Sequence, residues 1–113
     1  MIDALWSLQF AANATPLGGS GVVVIENGRV LGGDSSFLFI GDVKVEGGTV
    51  KARVHVTKYQ DVPGMSSVTG LNNYVGIFEG QVDAQNVTLT GIVEGMPTIK
   101  LVAKLTRRAE LPN

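Results

Sequence analysis

The sequence predicts an all-β protein, an eight-stranded antiparallel up-and-down barrel with at most one short helix. Three observations lead there. Apolar residues recur with a period of two along most of the chain, the mark of strands with one dry and one wet face. Turn-forming pairs separate these runs at short intervals, so consecutive strands join as hairpins and run antiparallel. The chain has 113 residues, the size of one domain, and a meander of that size removes its exposed edges best by closing on itself. A two-sheet sandwich is the alternative arrangement. The single domain spans 1–113.

The elements follow in order. In "ALWSLQF" Ala4, Trp6, Leu8 and Phe10 share one side, which places a first strand at about 3–11. Two strands at about 19–26 and 29–33 flank Asn27-Gly28, a pair suited to the positive φ values of a type I′ turn. A fourth, at about 36–45, is apolar on both faces, with Phe37, Phe39 and Val43 against Leu38 and Ile40. After Gly47-Gly48 comes "TVKARVHVTKY", where Val50, Ala52, Val54 and Val56 alternate with Lys51, Arg53, His55 and Thr57; this is the strand at about 49–59. The long connection "QDVPGMSSVTGLNN", Gln60 to Asn73, breaks the rhythm and is expected to hold a single helical turn around Met65 to Val68. Strands at about 74–82, 86–94 and 98–108 complete the set, separated by turns at Asp83 to Asn86 and at Gly95-Met96-Pro97. Gly41, Gly76, Gly80 and Gly91 lie inside strand patterns, as expected at barrel corners and bulges.

Composition narrows the function. A formal charge of −1 gives no basic field to gather nucleic acid or an anionic membrane. Zero cysteines exclude a disulfide framework, a thiolate metal site and a thiol nucleophile. The start "MIDALWSLQFAANAT" carries Asp3, Ser7 and Gln9 and no early Lys or Arg, unlike a secretory signal. A cytoplasmic protein with no membrane association is therefore expected. "NAT" at Asn13 and "NVT" at Asn86 match the glycosylation pattern, which has no meaning without secretion.

No set of residues spells out chemistry. The glycines of "GGSG" (Gly18 to Gly21) and of "ENGRVLGGD" precede strands, not a helix, so they are bends and hairpins rather than a phosphate cradle. His55 is the only histidine and falls on the polar face of its strand, leaving serines such as Ser35, Ser36, Ser66 and Ser67 without a conventional base. The carboxylates are scattered. Lys104, Arg107 and Arg108 read as a solvated strand end. The chain is expected to be no enzyme, with no catalytic residue, no metal and no cofactor. An eight-stranded barrel is just wide enough to be packed solid or to hold one small molecule. Trp6, Phe10, Phe39, Tyr74 and Phe78 are the candidate lining for a small apolar ligand.

The order of "ALWSLQF", "GSGVVVIENGRVLGGDSSFLFIGDV", "VTKY", "LTGIVEG" and "LVAKLTR" over about residues 3 to 108 resembles the GrlR-type family. That family is named for a negative regulator of type III secretion genes in enteric bacteria. The resemblance implies a lipocalin-like barrel, a homodimer, and a bacterial regulator that binds a protein partner rather than a substrate. In the named member, an acidic Glu-Asp-Glu-Asp run between the fourth and fifth strands grips a transcriptional activator. The matching loop here is Val45, Glu46, Gly47 and Gly48, with one carboxylate. It is the candidate partner loop. Leu38 and Ile40, the outward apolar pair of the fourth strand, are the candidate dimer face.

Overall fold

A computed structural model describes residues 2–113. Its strands are β1 (Ala4–Ala12), β2 (Gly18–Glu26), β3 (Arg29–Gly33), β4 (Phe37–Glu46), β5 (Thr49–Lys58), β6 (Asn73–Gln81), β7 (Asn86–Val93) and β8 (Met96–Ala109). Each pairs antiparallel with its sequence neighbours, and β8 returns to pair with β1, so the sheet closes into a barrel. Every boundary lies within two residues of the position that alternation predicts. The agreement has a simple cause. One slip of register would turn every inward valine to water, so the dry face of each run fixes its placement.

The inward set forms the core: Trp6, Val23, Ile25, Val30, Phe37, Phe39, Val50, Val87, Leu89 and Leu105 are all buried, with Leu8, Phe10, Val54, Tyr74 and Phe78 packed against them. The outward positions of β4, β5 and β8 carry Lys44, Lys51, Arg53, Lys100 and Lys104, all exposed. An apolar inside and a charged outside invert the pattern of a membrane-spanning barrel. Among the described residues no helix is long and apolar enough to cross a membrane.

The two ends of the barrel differ. The tight end holds Asn27-Gly28, Gly47-Gly48, the β6–β7 connection, the start of β1 and the end of β8. At positive φ, Asn27 (52°) and Gly28 (75°) form the expected two-residue hairpin. At the β6–β7 turn the Asp83 carboxylate accepts the N–H groups of Gln85 (2.9 Å) and Asn86 (3.0 Å), and these bonds hold its pKa below the usual carboxylate value. The loop end holds residues 13–17, 34–36 and 59–72 and the β7–β8 turn.

Two expectations need correction. The helical turn around Met65 to Val68 does not form, and the described residues contain no helix. Instead Val62-Pro63-Gly64-Met65 makes a β-turn closed by Met65 N–H on Val62 C=O at 3.0 Å, with Gly64 at φ +81°. Pro followed by Gly suits a type II turn and stops a helix. Ser67 to Gly70 makes a second turn, closed at 3.2 Å. The β7–β8 turn is centred on Glu94-Gly95, not on Gly95-Met96-Pro97, since β8 already begins at Met96. The β7–β8 register shifts at this end, leaving Pro97, Thr98 and Ile99 outside the ladder. A bulge is where proline's missing N–H does no harm.

Asn13 repairs the gap from the other side. Its Nδ2 donates to Thr98 C=O (3.0 Å), and its Oδ1 accepts Lys100 N–H (2.7 Å). The side-chain amide thus extends the β1–β8 ladder by one peptide-like unit. Asn13→Ala is expected to cost about 1 kcal/mol, the net worth of exposed hydrogen bonds. Thermal unfolding checks it, with an expected drop of roughly 5 °C for a domain this size.

Candidate functional site

Inside the barrel lies an apolar cavity of about 90 Å³, reached by side chains of all eight strands. Trp6, Phe10, Phe39, Tyr74 and Phe78, the candidate lining residues, all border it. Phe10 and Phe39 meet edge to face, with ring centroids 5.5 Å apart and planes at 81°, a geometry favoured by the aromatic quadrupole. At the tight end Trp6 seals the interior. It is fully buried, its Nε1–H donates to Ile2 C=O at 2.9 Å, and the Arg107 guanidinium lies 5.9 Å from its ring. Arg107 is thus engaged by the Trp6 ring, and Arg108 donates to Ser7 Oγ at 2.7 Å. Lys104 and Arg108 are exposed, as expected of a solvated strand end, while Arg107 is half-buried against the indole.

At the loop end, the β5–β6 connection folds over the opening. Tyr59 N–H donates to Ser36 C=O at 2.8 Å, and the Tyr59 hydroxyl donates to Asp34 C=O at 2.7 Å. Further along, Thr15 Oγ1 donates to Val68 C=O at 2.6 Å, a latch between the β1–β2 and β5–β6 loops. Val68 and Thr69 are buried beneath this cover. The pKa of the Tyr74 hydroxyl is raised: burial dominates, the nearby Thr69 hydroxyl opposes it, and the Asp34 charge adds to it.

The candidate partner loop sits at the opposite end from this cover. Gly47 (φ 56°) and Gly48 (φ 86°) form its turn, and Gly48 C=O accepts Val82 N–H at 2.8 Å. Val45 is exposed, and the Glu46 carboxylate lies 3.4 Å from Lys44 Nζ. The loop therefore presents a locally balanced charge rather than an acidic knob.

Leu38 and Ile40 point outward, 40% and 52% exposed. They are not alone. Leu31 pairs with Ile40 across β3–β4, Gly33 with Leu38, and Val22 with Gly33 across β2–β3. Val22 (51%) and Leu31 (45%) are equally open, so the outer face of β2–β4 carries one contiguous apolar patch. Arg29 and Asp42 pair at its edge. The continuous run "GVVVIE" was the available signal for Val22, because a strand apolar at every position shows both faces. Ser36, Val68 and Thr69 lie in turns without periodicity, where burial has no sequence signal.

His55 lies on the outer wall with Nε2 against Asn73 Oδ1 at 2.5 Å. Among the described residues no three His, Asp or Glu side chains converge as metal ligands would. Comparison with protein-family models and with curated proteins finds no match to the chain.

Proposed function

We propose that this chain is a non-enzymatic interaction protein that associates with a second copy of itself through the outer face of β2–β4. The β4–β5 hairpin then stays free to meet a protein partner of the regulator kind, in the cytoplasm. The observation that carries the reading is the patch of Val22, Leu31, Leu38 and Ile40, open in a barrel that leaves no sheet edge for pairing. The resemblance to the GrlR-type family supports the same reading and is the sole support for the regulator partner.

The patch is self-complementary. A two-fold axis parallel to the strands, between β3 and β4, sets each residue against its own cross-strand neighbour on the second copy. Leu31 then faces Ile40, Leu38 faces the small Gly33, and Arg29 faces Asp42. Burying four half-exposed aliphatic side chains per copy contributes about 1 kcal/mol each, roughly 8 kcal/mol in all. Lost rigid-body freedom opposes this by about 4–15 kcal/mol. At the lower end of that cost about 4 kcal/mol remains, so the dimer is weak and reversible, with Kd of about 1 mM.

Sedimentation velocity from about 5 μM to about 1 mM tests it, and the wild type should move from monomer to about half dimer at the top of the range. Ile40→Asp should stay monomeric throughout, with unchanged thermal unfolding because the side chain already faces water. A wild type that is monomeric at the highest concentration overturns the proposal.

A second reading has its own observation, the apolar cavity. At about 90 Å³ it lies below the 300–1,000 Å³ of pockets for drug-sized ligands. It admits a small apolar molecule and no long acyl chain.

A further inference from the structure

We infer that the barrel interior takes a small neutral molecule with an apolar body and one hydrogen-bonding head, the head resting on Ser36 beneath the β5–β6 loop. This rests on the second reading above and adds the polar end of the site.

Ser36 is 3% exposed, and its Oγ has no hydrogen-bond partner among the described residues. Such buried orphans are rare in folded proteins and call for a partner. The residue as a whole is buried, and its backbone is held in place on both sides. Ser36 N–H and Phe37 N–H each donate to Asp34 Oδ1 at 2.8 Å, and Ser36 C=O accepts Tyr59 N–H.

Ser36 borders a second hollow of about 30 Å³ at the loop end, together with Ser67, Val68 and Tyr74. Phe10, Phe39, Val56, Val68 and Tyr74 line both this hollow and the main cavity. The two spaces are thus neighbours across shared apolar side chains, with Ser36 at the far tip. Their size sets the ligand class, since a dry engineered cavity of about 150 Å³ takes benzene. A single ring or a chain of about four to six carbons is the upper limit here. The head is neutral, because the same end already disfavours the charged form of the Tyr74 hydroxyl through burial and the nearby Asp34 carboxylate. A carboxylate or phosphate would meet both penalties. Alcohols, phenols and small carbonyl compounds fit. Entry is through the loop end, where the Thr15–Val68 bond is the latch.

Benzene and phenol separate the two ends of the site. Phenol leaves water less readily, so it gains over benzene only where its hydroxyl finds a partner. NMR titration of the wild type with each probe should show phenol binding at least tenfold more tightly, with the largest shifts at Phe39, Val68 and Tyr74. In Ser36→Ala the preference should fall below threefold, through weaker phenol binding. Phenol binding no better than benzene overturns the inference while leaving an apolar ligand site standing. Saturable binding of neither probe removes both. The wild-type comparison decides the matter even if the variant folds poorly.

Discussion

Trp6→Ala should cost about 3–5 kcal/mol of folding stability, the range for deleting a large buried aromatic. Domains of this kind are held by about 5–15 kcal/mol in all, so this side chain alone decides whether the barrel persists at 37 °C. Three losses combine. The largest side chain with no exposed surface disappears, and the void joins a cavity that already borders it, which limits relaxation. Ile2 C=O loses its donor at the closed end, and Arg107 loses the ring it lies over. Urea unfolding followed by far-ultraviolet circular dichroism is the measurement, because the chain's one tryptophan is itself removed. In a parallel thermal melt the expected fall in Tm is about 15–25 °C. Trp6→Phe keeps most of the packing and loses only the N–H donor, so about 1–2 kcal/mol is expected there. An alanine variant within 1 kcal/mol of wild type would show that Ile2 and Arg107 close the end without the indole.

The strands and the lining residues were legible for one reason. In a half-buried strand each side chain has only two directions, and the choice is written as apolar or polar at every second position. Trp6, Phe10, Phe39, Tyr74 and Phe78 fall inward by parity alone. The loop end escapes that logic. Val68 and Ser67 are neighbours in a turn, and nothing in "GMSSVTG" says that the valine is buried under a latch from Thr15. Ser36 reads as a turn residue, which its backbone is, while its burial depends on partners at Asp34 and Tyr59, one of them distant in sequence. The outward patch was half legible. Leu38 and Ile40 stand out because β4 is apolar on both faces, whereas Leu31 emerges only once the register sets it beside Ile40. Proline and glycine at 63 and 64 outweighed the expected helical turn, a local conflict decided by backbone geometry rather than by packing.

Gly41→Ala should destabilise the barrel by about 3 kcal/mol, the upper part of the usual range for overpacking, although it adds one methyl group. A Cβ built there lies 2.1 Å from Arg53 C=O oxygen and 2.7 Å from Val54 Cα. Both are backbone atoms of β5, paired with β4 along its whole length, so relief requires opening the ladder rather than turning a side chain. The contrast is Gly47, where the Cβ meets nothing within 4 Å and the obstacle is its φ of +56°. There alanine should cost about 1 kcal/mol, from strain alone. Gly32 and Gly91 repeat the Gly41 arrangement, each with a carbonyl oxygen of the adjacent strand 2.0 Å from the added atom. Glycines at such points let neighbouring strands approach and coil closely enough for a short sheet to meet its own first strand. Urea unfolding of Gly41→Ala and Gly47→Ala side by side tests this, and equal losses would mean that closure does not depend on the close β4–β5 approach. Benzene titration of a folded Gly41→Ala protein gives the functional counterpart: strands forced apart at β4–β5 widen the interior that Val43 and Val54 help line, so binding should weaken as packing around the ring loosens.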